Sequence, residues 1–209
     1  GAETILLNSH GDAIDTGGTR GDIAFRGATT WERLGAGTDG AYLQTKGTGA
    51  NPTWVTISNS GVRKTANQTV TSSTTLEDDD HLVFAIGASQ VWAIQYHLLV
   101  RSHASGDIKI GFTAPSGAAG SISGIGPALG TSDVQDTNVA MSNNTTTDLS
   151  STLSFGAIAT GSYSYIQLNV LIVNSTNADD LQLQWAQNAS SGTATTMYIH
   201  SYAEATRIA

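Results

Sequence analysis

The chain is 209 residues long, carries 17 acidic against 9 basic side chains for a formal charge of -8, and contains no cysteine. Disulfides, thiolate catalysis and cysteine-based zinc or iron sites are thereby excluded, and the scattered Lys and Arg leave no basic stripe of the kind that nucleic acid requires. Charged residues make up only 12%, below the roughly 25% typical of soluble domains; Gly, Ser, Thr, Asn and Gln take their place, a composition suited to half-buried strands and turns.

The first ten residues hold one short apolar patch, Ile5-Leu6-Leu7. It lacks the basic flank and long apolar core of a signal peptide, and no run in the chain approaches the roughly 18–20 apolar residues of a membrane span. The first sixty residues are dense in glycine, and their bulky side chains stand alone: Ile23, Phe25, Trp31, Leu34, Tyr42, Leu43 and Trp54. Such a segment buries little by itself. Residues 1–60 are therefore expected to form an extended, Gly-rich attachment arm with short strands, ordered by a partner surface. The competing expectation is a small hairpin folded on its own body. The boundary is placed near Asn59-Ser60-Gly61.

From residue 61 to 209 the dominant period is two. Leu82, Phe84 and Ile86 alternate with His81, Val83 and Ala85. Between Val91 and Arg101, Trp92, Ile94, Tyr96, Leu98 and Val100 share one face, and Gln95, His97 and Arg101 share the other. Ile108, Ile110 and Phe112 form a third run, Ile166 to Ile172 a fourth and Leu181 to Trp185 a fifth; Thr195 to Ile208 is rich in β-formers. Turn signals such as Pro115-Ser116-Gly117 and Ser190-Ser191-Gly192 separate them. Asn177-Ala178-Asp179-Asp180 reads as a hairpin loop between two strong strands. The small, polar residues from Ala118 to Ser151 read as one or two surface loops with a short strand, the best place for recognition on a rigid scaffold. The expected fold is all-β, a sandwich of jelly-roll type after the arm.

Few residues suggest chemistry. Glu77-Asp78-Asp79-Asp80 is the densest charge cluster and could offer oxygen ligands to a hard cation, but it lacks the spacing and glycine of an EF-hand and reads first as a solvated acidic turn. His10, His81, His97, His103 and His200 show neither an H-x-x-x-H pair nor H-E-x-x-H. The surroundings of Ser123 lack the nucleophile-elbow pattern, and the Gly-rich stretches lack the P-loop lysine. Trp92 and Trp185 sit on apolar strand faces and are expected in the core rather than on a sugar-stacking platform. No catalytic residue, metal or cofactor is expected.

Two stretches resemble a known family. The first runs through Gly21-Asp22-Ile23-Ala24-Phe25-Arg26, Trp31-Glu32-Arg33-Leu34, Gly37-Thr38-Asp39-Gly40, Leu43 and Pro52-Thr53-Trp54. It resembles a short module of phage tail-fibre and minor tail proteins. The second is Lys64 with Asn67 to Leu76 and Asp78-Asp79-Asp80, closing on Leu183 to Ala189 and Ala194-Thr195. It resembles a phage surface β-domain. Together they span residues 21–57 and 63–208. The resemblance implies a non-enzymatic, homotrimeric protein on the outer surface of a bacteriophage virion, as a tail-fibre or tail-tip component or a capsid decoration protein. The expected partners are other virion proteins, held through the arm by Ile23, Phe25, Arg26, Trp31, Arg33, Leu34 and Trp54, with host-surface glycan a further candidate. A secreted carbohydrate-binding module or polysaccharide-acting enzyme is the alternative.

Overall fold

In a computed structural model of the chain, the described residues are 18–56, 59–103, 105–131, 140–158 and 163–208. Every regular element among them is a strand, as the period-two patterning requires. The chain divides into two units, the second beginning at Asn59.

The first unit is two hairpins. Strands β1 (Ile23–Arg26) and β2 (Trp31–Leu34) pair antiparallel, as do β3 (Ala41–Gln44) and β4 (Thr53–Thr56). Side chains tie them together: the Trp54 indole N–H donates to the Gly35 carbonyl at 2.6 Å, and Asn51 Nδ2 donates to Glu32 at 3.1 Å. A side chain at Gly37 would meet the Trp54 ring at 2.7 Å, so glycine lets the indole lie against the backbone. These residues therefore have hairpin structure of their own rather than an extended course, because cross-links between the hairpins supply what their small core does not. Residues 1–17, the start of the expected arm, lie outside the described residues.

The second unit is two packed sheets. Its strands are β5 (Asn59–Arg63), β6 (Gln68–Val70), β7 (Glu77–Ile86), β8 (Val91–Arg101), β9 (Ile108–Thr113), β10 (Ala119–Pro127), β11 (Met141–Thr146), β12 (Leu153–Phe155), β13 (Ser164–Val173), β14 (Asp179–Ala186), β15 (Thr195–Met197) and β16 (Tyr202–Arg207). The large sheet runs β11-β10-β13-β8. The far edge of β8 is then shared by β16, which carries β5, and by β15, which carries β6. The small sheet runs β12-β9-β14-β7. The expected boundary at residue 60 falls inside β5, which pairs with β16 and belongs to the sandwich.

The even-numbered apolar residues of β7, β8, β9 and β13 and the odd-numbered ones of β14 fill one core between the sheets, with Trp92 and Trp185 both buried. Tyr96 of the large sheet sits between Phe84 and Phe112 of the small one, ring centroids 6.1 and 5.3 Å away. Asn177 to Asp180 does not close a hairpin. It carries the chain from β13 in one sheet to β14 in the other, and Asn174 Nδ2 fixes the crossing through the carbonyls of Gly87 and Asn177.

The stretch expected as loops from Ala118 to Ser151 is instead largely a hairpin, β10–β11, at the edge of the large sheet; residues 132–139 lie outside the described residues. Its inward face is glycine where other strands carry bulk. A side chain at Gly124 would meet Leu168 at 2.6 Å and Phe155 at 2.7 Å, and one at Gly126 would meet Ile166 and Phe155 at 2.9 Å. Large neighbours fill the space, so the strand has almost no apolar signature of its own beyond Ile122.

Candidate interaction surfaces

The register of the first hairpin sorts six of the seven expected attachment residues into two groups. Ile23 pairs with Leu34 and Phe25 with Glu32, so Ile23, Phe25 and Leu34 share the half-buried face of the first hairpin. Arg26 pairs with Trp31 and Ala24 with Arg33, which puts Arg26, Trp31 and Arg33 together on the exposed face; Trp31 is 43% exposed. Trp54 stands apart on β4, engaged with Gly35 and half-buried. Tyr42 and Leu43 are exposed beside it.

Arg33 has an acid within its own unit, 3.5 Å from Asp22. That carboxylate also accepts the Thr19 amide at 2.6 Å, the Thr19 hydroxyl at 3.1 Å and the Ala36 amide at 2.9 Å. The Thr19 amide bond above all, with the Ala36 amide, the Thr19 hydroxyl and Arg33, holds the Asp22 carboxyl below its ordinary value. The Gly-Asp of the motif is thus a local tie: Asp22 joins the entry of β1 to the exit of β2.

The second surface is the outward face of the large sheet. Register aligns its side chains in rows. One row is Ile125, Gln167, His97, Tyr202 and Arg63; the next is Ser123, Asn169, Gln95 and Glu204; a third is Ser121, Leu171, Ala93 and Thr206. His97 stacks on Tyr202 with centroids 4.5 Å apart, its Nδ1 bonds the Tyr165 hydroxyl, and its Nε2 meets Gln95 at 3.1 Å. Gln95 in turn donates to Asn169 at 3.0 Å. At one end the Arg101 guanidinium lies 4.4 Å from the Tyr163 ring and 5.6 Å from the Tyr198 ring, within cation–π range. Partial burial, with Tyr202 beside it, raises the ionisation of Tyr165 above the usual phenol range. The alternation of β8 already put Gln95 and His97 on a polar face. The sequence carried no sign that Tyr165 and Tyr202, 37 residues apart, flank the same histidine.

The acidic run is not a solvated turn. Glu77 to Asp80 open β7, and Asp79 is buried. Its Oδ2 is 2.7 Å from Lys64 Nζ, with both side chains fully enclosed, and it accepts the Trp185 indole N–H at 3.2 Å; its Oδ1 accepts the amides of His81 and Leu82 at 3.0 Å. The cation this carboxylate holds is the ammonium of Lys64. Among the described residues no three acidic or histidine side chains gather as metal ligands. His81 bonds Thr65, and His103 bonds Ser105; His10 lies outside the described residues. Ser123 is one of the hydroxyls of the outward face described above.

No family model matches the chain, and no curated protein matches it. Among solved structures it is similar to chains in two structures of infectious bursal disease virus. The match to the Gx strain has 12% identity and a TM-score of 0.17, covering 88% of this chain and 49% of that one. The match to the Gt strain has 10% identity and a TM-score of 0.18, covering 86% and 44%. The chain spans about half the length of the chains it matches, and at these scores the likeness carries no argument.

Proposed function

We propose that this chain is a non-enzymatic structural protein of a bacteriophage particle, displayed on its outer surface as a homotrimer and anchored by the residues before the sandwich. The observation that carries the reading is the two-unit build. A small Gly-rich hairpin unit holds Arg26, Trp31, Arg33, Tyr42 and Leu43 outward, and a β-sandwich with its own complete core follows. Side chains of that kind are docking anchors, because aromatic and Arg contacts carry most of the energy of protein interfaces.

Strand order adds support. The runs β5-β16-β8-β13 and β7-β14-β9-β12, which the chain enters by repeated crossing between sheets, interleave as the two four-stranded sheets of a jelly roll do, with β10–β11 an added hairpin at the edge. The resemblance of residues 21–57 and 63–208 to phage surface proteins points the same way. Tail fibre or tip and capsid decoration are both open to such a build.

Immunogold labelling of intact particles with an antibody against residues 61–209 tests the proposal. Label over the head makes this a decoration protein, label at the tail end a fibre or tip protein, and no label on any particle overturns the reading. The hydrogen-bonded amides Gln95 and Asn169 on an outward face with stacked rings favour one alternative, a carbohydrate-binding module, which a glycan array on the purified chain would reveal.

A further inference from the structure

The outer faces of the two sheets differ in kind. The small sheet turns the polar and charged chains of Lys109, Thr113, Asp180, Gln182 and Gln184 outward. The large sheet exposes Ile125, Tyr165, Leu171, Val173 and Tyr202, each between 38% and 46% accessible. Register places them on the same side of adjacent strands as Gln95, His97 and Asn169.

We infer that this face packs against a second copy of the same chain. This rests on the reading of the protein as an oligomeric particle component and names the surface that would make the oligomer. Size is the first argument. Six strands, β11-β10-β13-β8-β16-β5, lie side by side. At a strand spacing of roughly 4.8 Å and a rise of about 3.3 Å per residue, the span from Tyr165 to Val173 across them covers roughly 700–800 Å². That is close to the roughly 800 Å² that each partner gives to a stable protein interface.

Composition is the second argument. Around the small and polar chains Ser121, Ser123, Ala93, Thr206 and Glu204, the face sets Tyr165, Tyr202, Ile125, Leu171, Arg63 and Arg101, with no lysine or aspartate in its rows; tyrosine and arginine are enriched, and lysine and aspartate depleted, at interface centres.

Charge is the third. The chain is net -8, so most approaches between two copies are repulsive. This face carries Arg63 and Arg101 against the single acid Glu204, while Glu77, Asp78, Asp80, Asp179 and Asp180 lie on β7 and β14 of the other sheet. A contact that brings the arginine-bearing face of one copy toward the acidic strands of the next is complementary and head-to-tail. Repeated by a closing rotation, it makes a ring.

Sedimentation equilibrium on the full chain tests this, at about 10 μM, above the dissociation constants common for interfaces of this area. The expected result is a homo-oligomer. In the double variant Leu171→Lys with Tyr165→Ser, the oligomer is lost and the mass falls to that of one chain, while the far-UV circular dichroism and its cooperative melt persist, because both positions are already exposed. A wild-type chain that sediments as a monomer overturns the inference, as does a variant that stays oligomeric. A monomer that binds a neutral glycan through Gln95 and Asn169 gives the face to a sugar instead. Either failure leaves the immunogold result untouched, so loss of the interface and loss of the particle assignment are told apart.

Discussion

Lys64 and Asp79 meet 2.7 Å apart inside the sandwich, and neither side chain reaches solvent. An acid and a base this deeply enclosed are tolerated because each is fully engaged. Lys64 also donates to Gln68, and Asp79 accepts three further N–H groups. Gln68 extends the tie by accepting the Asp80 amide and donating to the Asp78 carbonyl. The pair therefore pins the segment between β5 and β6 to the start of β7.

Removing one partner strands the other. Lys64→Met is expected to destabilise the sandwich by about 3–5 kcal/mol, the range for a buried charge left uncompensated. Asp79→Ala should be at least as damaging, since it also orphans the Trp185 indole and the amides of His81 and Leu82. Urea denaturation of each variant measures this; a loss below about 1 kcal/mol for Lys64→Met would show the pair to be dispensable.

Tyr96 offers the opposite case. Among the described residues its buried hydroxyl has no hydrogen-bond partner, and burial together with the nearby Asp79 carboxylate drives its ionisation far above the phenol range. A buried polar group without a partner is a standing penalty. Tyr96→Phe keeps the ring contacts with Phe84 and Phe112 and should leave stability unchanged or raise it by about 1 kcal/mol. A clear drop in the urea midpoint would mean that the hydroxyl is satisfied in solution.

Gly124 is occupied space. Gly124→Ala should cost about 1–3 kcal/mol through overpacking against Leu168 and Phe155. Gly192→Ala, where an added methyl meets nothing within 4 Å, serves as the control. Thermal melts of the two variants should separate by several degrees; equal melts would show that β10 shifts freely to make room.

Acid should loosen the hairpin unit through Asp22. Because hydrogen bonds from Thr19 and Ala36 and the charge of Arg33 lower its folded value below the ordinary 3.8, the unfolded state takes up the proton first as pH falls. The stabilisation is therefore full above about 3.8 and disappears as pH drops through the lower folded value. The amide resonances of Thr19 and Ala36, followed by NMR, should move only below the usual carboxylate range, and Asp22→Asn should abolish that movement. A midpoint at or above 3.8 would contradict the tie.

The long strands were legible because their bulk alternates. The apolar faces of β7, β8, β9, β13 and β14 could be read off residue by residue, and Val91–Arg101 emerged with the bounds the alternation predicts. What stayed hidden had physical reasons. In β10 the core positions beside Ile122 are Gly124 and Gly126, since Phe155, Leu168 and Ile166 fill their space from outside the strand. Strand β5 reads Asn-Ser-Gly-Val-Arg and gains its identity only from pairing with β16, about 140 positions on. Lys64 and Asp79 look like ordinary surface charges until the fold encloses them. Of the expected anchors, hairpin parity explains why Trp31 and Arg33 face outward, but the indole of Trp54 folds back onto Gly35, a choice that spacing alone does not reveal.

The position of β16 has a bearing on how the protein is made. The last strand of the sandwich slots between the first, β5, and the central strand β8, and the amide of Ile208 reaches back to the Val91 carbonyl. Until Tyr202 to Arg207 have left the ribosome, β8 has an open flank and β5 has nothing to pair with. Synthesis from one end cannot complete the sheet in stages, and the sandwich closes only after translation has passed its final strand. From the synthesis of β8 until β16 emerges, a nascent chain therefore carries an exposed strand flank, the condition under which neighbouring chains on a polysome exchange strands.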